Sequence, residues 1–260
     1  MPSDSIAFDR AATYYDETRG FPPGEEKAIA DLIRRVGGLT PGSRVIEIGV
    51  GTGRIALPLA TYVGALIGVD LSRPMLMRLL AKQTDEPVYV VQADATQLPF
   101  VSHGFDAAVA VHVFHLIPNW QGVLSELARV LRPDGRVLHG WSDLDPVFKP
   151  LWDAWKAAIP GKQQEDVGVR WEKNPTGLAE QGWRPAGDEQ TYSYLSTQTP
   201  AMFLERLRNR IWSQTWRLTD EELAKGVAAV QAVVEKDYPN PHEPVPVTAN
   251  FHVRAYTAPA

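Results

Sequence analysis

Along the first 142 residues, short apolar runs alternate with stretches in which apolar residues recur every three or four positions. The second pattern is typical of an amphipathic helix, as at residues 25–36, and the first is typical of a buried strand. The strands predicted in this way are residues 45–48, 65–69, 88–92, 105–111 and 136–141. Strands that alternate with helices indicate a mostly parallel, doubly wound α/β sheet, which binds its ligands at the carboxyl ends of the strands.

The pattern changes after residue 142, where the predicted helices become rich in aromatic residues. Helices are predicted at residues 146–159, 176–181, 200–212 and 219–238, and strands at residues 190–197 and 250–256. The segments 145–172 and 198–240 exceed what such a sheet needs, so we expect a helical cap over the ligand site. Residues 25–142 would then form the ligand-binding core, and residues 143–260 would complete the sheet and supply the cap within the same domain.

Three glycines at alternate positions follow the first predicted strand, in the sequence E-I-G-V-G-T-G-R. Gly49, Gly51 and Gly53 suit a tight turn in which a ligand approaches the backbone closely. The helix that follows offers free N–H groups to a polar or anionic ligand. Asp70 ends the next strand, at about the separation where a nucleotide-binding fold places its ribose-binding acid. Arg54 stands where a dinucleotide fingerprint has its third glycine, so the spacing disfavours a dinucleotide.

Four motifs in this order resemble those of the class I S-adenosylmethionine-dependent methyltransferases. They are the glycine motif, A-D-A-T-Q-L-P-F at residues 93–100, F-D-A-A-V at residues 105–109, and S-E-L-A-R-V-L-R-P-D-G-R at residues 125–136. The resemblance covers residues 8–142 and is nearest to the small-molecule methyltransferases of ubiquinone and menaquinone biosynthesis. It implies a Rossmann-like, seven-stranded sheet with an antiparallel last strand, S-adenosyl-L-methionine as cofactor and a small molecule as methyl acceptor.

The resemblance also implies which residues hold the cofactor. A lid segment, residues 1–24, would bring Tyr15 and Arg19 to the methionine carboxylate, while Asp70 would hold the ribose hydroxyls and Asp94 the adenine. The residues assigned to the cofactor are Tyr15, Arg19, Glu47, Gly49, Gly51, Gly53, Asp70, Leu71, Met75, Asp94, Ala95, Val111 and His112.

Composition narrows the chemistry further. The 260 residues include no cysteine, which excludes disulfides, cysteine-ligated zinc and a cysteine nucleophile. The spacing of histidines and acids matches no metal motif, so we expect no metal. A net charge of −5 without a basic stripe disfavours a nucleic acid substrate, and no apolar run approaches a membrane span. The N-terminus does not read as a signal peptide, so we expect a cytoplasmic protein, of open oligomeric state.

Two histidines lie where the acceptor chemistry is expected. His112 directly follows the fourth predicted strand and would border the cofactor, and His115 is one helical turn further on. His115 is our candidate for a general base that takes a proton from the acceptor. A packed or capping histidine fits the same pattern equally well.

Tryptophans in the predicted cap suggest the chemical class of the acceptor. Flat aromatic side chains would form a pocket for an apolar or aromatic small molecule, or would bury the cap against the core. The tryptophans of this region are Trp152, Trp155, Trp171, Trp212 and Trp216.

Two other functions stay open at this stage. An NAD-dependent oxidoreductase is disfavoured by Arg54 and by the A-D-A-T-Q-L-P-F motif. A non-catalytic protein that binds S-adenosylmethionine is compatible with the sequence, because no indispensable residue on the acceptor side is recognisable.

Overall fold

The computed structural model of the protein describes residues 8–161, 168–169 and 176–259. Trp171 lies outside these ranges, as do the first seven residues of the predicted lid and parts of the first cap segment.

The described helices and strands follow the predicted order along the chain. The helices are α1 (Tyr15–Arg19), α2 (Glu25–Gly37), α3 (Ala56–Ala60), α4 (Arg73–Lys82), α5 (Trp120–Val130), α6 (Lys149–Ala158), α7 (Thr176–Glu180), α8 (Pro200–Arg208) and α9 (Asp220–Asp237). The strands are β1 (Arg44–Ile48), β2 (Ala65–Asp70), β3 (Val88–Gln92), β4 (Phe105–Val111), β5 (Leu131–Leu144), β6 (Arg184–Pro185), β7 (Gln190–Gln198) and β8 (Val245–Thr257). The helix predicted at residues 200–212 ends early, because Arg210 adopts the left-handed backbone conformation, with φ 52°.

Among the residues described, eight strands form one sheet in the order β3-β2-β1-β4-β5-β8-β6, and β7 pairs with β8. The strands from β1 to β5 pair in parallel, whereas β6 pairs antiparallel with β8. The prediction of a mostly parallel, doubly wound sheet with an antiparallel last strand is therefore confirmed. The prediction of seven strands omitted β6. This strand has only two residues, Arg184 and Pro185, which are too few to form a periodic pattern in the sequence.

The chain divides into two compact units. The first consists of Met1–Ser142, Asp166–Tyr192 and Asn250–Ala260, and the second of Asp143–Glu165 and Ser193–Ala249. In the first unit, residues of β1 and β4 such as Ile46 and Ala108 are fully buried, as expected for central strands covered on both faces. The assignment of residues 143–260 to the same domain as the core stays a prediction.

The second unit has an aromatic core of its own. Trp155 of α6 is 2% exposed and packs against Gly226 of α9, where an added Cβ would lie 2.4 Å from the indole ring. Trp152, Phe203 and Trp212 form a cluster whose ring centroids are 4.8–5.0 Å apart. Trp155 is therefore a packing residue, and Trp152 and Trp212 are half-buried at the edge of the same core.

Candidate functional site

The glycine loop between β1 and α3 is built for close approach to its backbone. Gly49, Gly51 and Gly53 have φ of 69°, 55° and 80°, which other residues rarely adopt. A Cβ on Gly49 or Gly53 would collide with a packed side chain, at 2.5 Å and 2.7 Å respectively. At Gly51 the nearest atom would be 3.8 Å away, on Met75. The loop therefore leaves room over Gly51, beside the buried Met75 that was predicted to line the site.

Asp70, at the end of β2, ties this loop to the neighbouring strand. Its two carboxylate oxygens accept hydrogen bonds from the N–H groups of Gly51 and Ser72, each at 2.8 Å. Burial raises the pKa of Asp70, and the backbone hydrogen bonds from Ser72 and Gly51 oppose that rise. The carboxylate is thus fixed beside the open face of Gly51, where it has lone pairs left to accept hydrogen bonds from a ligand.

The residues after β3 come to the same edge of the sheet. The N–H of Ala93 bonds to the carbonyl of Asp70 at 3.2 Å, and the side chain of Gln92 bonds to the carbonyl of Leu71 at 3.0 Å. Asp94 follows, with its Oδ1 accepting from the N–H and the hydroxyl of Thr96 at 2.9 Å and 2.8 Å. The predicted residues Leu71 and Asp94, together with the buried Ala95, therefore lie close to Asp70.

The N-terminal segment contacts the glycine loop through two side chains. The hydroxyl of Thr52 donates to Asp16 at 2.5 Å, and the same carboxylate bonds Lys82 of α4 at 2.8 Å. Arg54 donates to the carbonyl of Arg19 at 2.6 Å. The N-terminal segment therefore lies beside the predicted cofactor site, and its role as a lid stays a prediction.

Arg54 is the site residue that sequence reasoning missed. Its guanidinium lies 4.5 Å from the centre of the Phe21 ring, besides its bond to the carbonyl of Arg19. It also acts electrostatically on Glu47 and His112, so it faces the ends of β1 and β4. Arg54 stands where a dinucleotide-binding fingerprint has its third glycine, and this departure in the sequence could have marked Arg54 as a site residue.

Glu47, the last residue but one of β1, is an acid without a complete set of partners. It is 3% exposed, and its Oε2 has no hydrogen-bond partner among the described residues. Burial raises its pKa well above the usual range, the charge of Asp70 adds to the rise, and Arg54 opposes it. A buried carboxyl oxygen of this kind fits a cationic group of a ligand, such as an ammonium.

His112 is held in an unusual backbone conformation at the end of β4. Its φ is 53°, its N–H bonds to the carbonyl of Gly140 at 3.2 Å, and its Nε2 lies 3.2 Å from the hydroxyl of Ser142. Burial lowers its pKa well below 6.5, and the charges of Arg54 and Arg19 lower it further. His112, directly after Val111, is thus a neutral imidazole, and its ring and its backbone are both hydrogen-bonded at this edge of the sheet.

Two further histidines accompany it. His115 lies in a short 3-10 turn, Phe114–Leu116, and its charge lowers the pKa of both His112 and His139. His139 of β5 is 4% exposed, and burial lowers its pKa from 6.5 to about 3. Its ring stacks on Trp141 at 5.1 Å, and Trp141 stacks on His252 at 5.2 Å. His115 is thus near enough to both histidines to affect their pKa values, and its role as a base stays a prediction.

The described residues contain neither a cluster of acids, histidines and cysteines that could hold a metal ion nor a helix long and apolar enough to cross a membrane.

Comparison with known proteins points to one family. Residues 46–139 match the model of a methyltransferase domain. The chain is 42% identical over 101 residues to a phosphatidylethanolamine N-methyltransferase of Cereibacter sphaeroides, covering 37% of this chain and 49% of that protein. It is 32% identical over 178 residues to a 27-O-demethylrifamycin SV methyltransferase of Amycolatopsis mediterranei, covering 65% of each. The chain thus spans about half to two thirds of these relatives.

A solved structure agrees in fold. The phosphoethanolamine N-methyltransferase 2 of Haemonchus contortus, solved with phosphomonomethylethanolamine and S-adenosylhomocysteine, superposes with a TM-score of 0.54 at 19% identity. The match covers 97% of this chain and 58% of that one.

Proposed function

We propose that this chain is a class I methyltransferase, which transfers a methyl group from S-adenosylmethionine to a small molecule; the matched methyltransferase domain and the sheet topology support the proposal. The observation that carries the proposal is the arrangement at the carboxyl ends of β1 and β2. There the open face of Gly51 and the fixed carboxylate of Asp70 lie together. A carboxylate beside a bare backbone suits a ribose better than a phosphate, because it accepts hydrogen bonds and repels anions.

The site residues divide between the parts of this cofactor. Asp70 accepts hydrogen bonds from the ribose hydroxyls, and Asp94 and the N–H of Ala95 contact the adenine. Glu47, with its unpartnered buried oxygen, faces the ammonium of the methionine part. The guanidinium of Arg19 binds the carboxylate of the methionine part, an assignment supported by the hydrogen bond between the Arg19 carbonyl and Arg54 of the glycine loop.

The remaining residues of the predicted set shape the space around these groups. Gly49 and Gly53 allow the turn, Met75 and Leu71 border the Asp70 edge, and Tyr15 belongs to the lid beside Phe8. Val111 and His112 end β4, where the reacting carbon is expected.

The bound cofactor supplies a methyl carbon that its sulfonium already activates, so the protein must mainly align the acceptor. The neutral imidazole of His112 orients the acceptor by a hydrogen bond, with Ser142 holding its ring. His115 is the proposed base for an acceptor that loses a proton. The half-buried Trp141, between two imidazole rings, favours an apolar or aromatic molecule.

Calorimetric titration with S-adenosylmethionine, S-adenosylhomocysteine and NAD tests the donor. We expect micromolar-range binding of the first two and none of NAD. Binding of NAD alone would reject the proposal. Tight binding of S-adenosylmethionine without turnover across a broad panel of amine, hydroxyl and carboxylate acceptors would instead identify a non-catalytic binding protein.

A further inference from the structure

Two side chains of α5 hold the loop that follows β3. Arg129 donates to the carbonyls of Phe100 and Leu98 at 2.6 Å and 2.9 Å, and Glu126 accepts from the N–H of Leu98 at 2.6 Å. Arg129 and Glu126 are joined to each other by hydrogen bonds of 2.7 Å and 2.8 Å. Three backbone groups of one loop are therefore bound by a single charged pair from a helix elsewhere in the chain.

The same loop begins with the residues assigned to the adenine. Asp94 forms a turn with Thr96, and the N–H of Gln97 bonds back to the carbonyl of Asp94 at 3.0 Å. Leu98 is 5% exposed and anchors the loop in the core. A shift of the backbone at Leu98 would therefore move Asp94, because a hydrogen-bonded turn connects the two.

The pair of Glu126 and Arg129 differs from an ordinary ion pair on a helix surface, because it also binds the backbone of a loop. Charges three positions apart on a helix interact whether or not a loop is present, and they contribute little. Here the Glu126 side chain is only 19% exposed and stays ionised, since its bonds to Arg129 lower its pKa. Water could satisfy the carbonyls of a surface loop, but it would not fix where that loop lies.

We propose that Glu126 and Arg129 are positioning residues that set the base specificity of the cofactor site. By fixing the loop, they hold the free carboxylate oxygen of Asp94 and the N–H of Ala95 where they meet the amino group and ring nitrogen of adenine. Adenine offers a donor in its amino group and an acceptor in the ring nitrogen. A base with oxygen in place of the amino group offers an acceptor there and a donor at the ring nitrogen, so the fixed loop rejects it. This inference rests on the proposed function.

The test compares S-adenosylhomocysteine with S-inosylhomocysteine, in which that amino group is replaced by oxygen. Wild type, Arg129→Ala and Glu126→Gln are titrated with both compounds by calorimetry. Glu126→Gln removes the negative charge that pairs with Arg129 but keeps the size of the side chain, so it serves if Arg129→Ala fails to fold. Arg132→Ala is the matched control, because Arg132 pairs with Asp106 instead of the loop.

We expect wild type and Arg132→Ala to prefer S-adenosylhomocysteine strongly. In the two loop variants its affinity should fall roughly ten-fold, the equivalent of about one charged hydrogen bond, while that of S-inosylhomocysteine changes little. Loop variants that keep the wild-type ratio, whether or not both affinities fall, would overturn the positioning role. Wild type that binds neither compound would instead reject the proposed function, and with it this inference.

Discussion

His139 should make the stability of this protein strongly dependent on pH. Its pKa is about 3 in the folded chain, against 6.5 for an ordinary histidine, because the side chain is buried in β5. The unfolded chain therefore binds a proton at this residue between those two values, and the folded chain does not. Stability is fully present above pH 6.5 and is lost as the pH falls toward 3.

The size of the effect follows from the linkage relation. Between about pH 7.5 and pH 4.5, His139 alone should lower the free energy of unfolding by about 2.6 kcal/mol. His139→Phe removes the titrating group and keeps an aromatic ring to stack on Trp141. The exposed His242, replaced by Gln, is the control for a histidine outside the core.

Urea unfolding followed by circular dichroism measures the effect at several pH values. The free energy of unfolding of His139→Phe, relative to wild type, should rise by about 2.6 kcal/mol as the pH is lowered over this range. His242→Gln should run parallel to wild type. Parallel curves for His139→Phe as well would refute the argument, because they would mean that the folded protein protonates this imidazole as easily as the unfolded chain does.

Three other substitutions test the site and the packing. Asp70→Ala should weaken binding of S-adenosylmethionine by about 1–3 kcal/mol in calorimetry, the usual cost of losing a charged hydrogen bond, and unchanged affinity would remove it from the site. Gly226→Ala should lower the free energy of unfolding in urea by about 1–3 kcal/mol, since the new methyl meets Trp155, although helix propensity alone predicts a gain. Asp16→Ala should reduce affinity for S-adenosylhomocysteine several-fold by releasing the lid; Asp153→Ala, which removes a more exposed ion pair within α6, should leave it unchanged, and equal effects would contradict the lid.

The sequence was sufficient for the parallel strands β1 to β5. Parallel strands such as β1 and β4 are buried on both faces, so they appear as continuous apolar runs whose ends can be read directly. The Asp70 hydrogen bond to Gly51 follows from the same logic, because neighbouring parallel strands end at one edge. The capping box of Thr219 and Glu222 at the start of α9 is local in the same way, because its two residues are only three positions apart.

What the sequence could not supply are contacts between distant segments. The clamp of Glu126 and Arg129 on Leu98 depends on how α5 packs, which no local pattern encodes. The left-handed conformation of His112 was equally hidden, because a residue other than glycine gives no sign of positive φ.

Because His112 has a positive φ, selection for stability and selection for activity should favour different residues at this position. The left-handed backbone costs a side chain of this kind roughly 1–2 kcal/mol, and glycine would avoid that cost. A library of variants screened only for heat resistance should therefore enrich glycine or asparagine at this position. A library screened for turnover should keep the imidazole, so the two screens would drive the protein apart at a single codon.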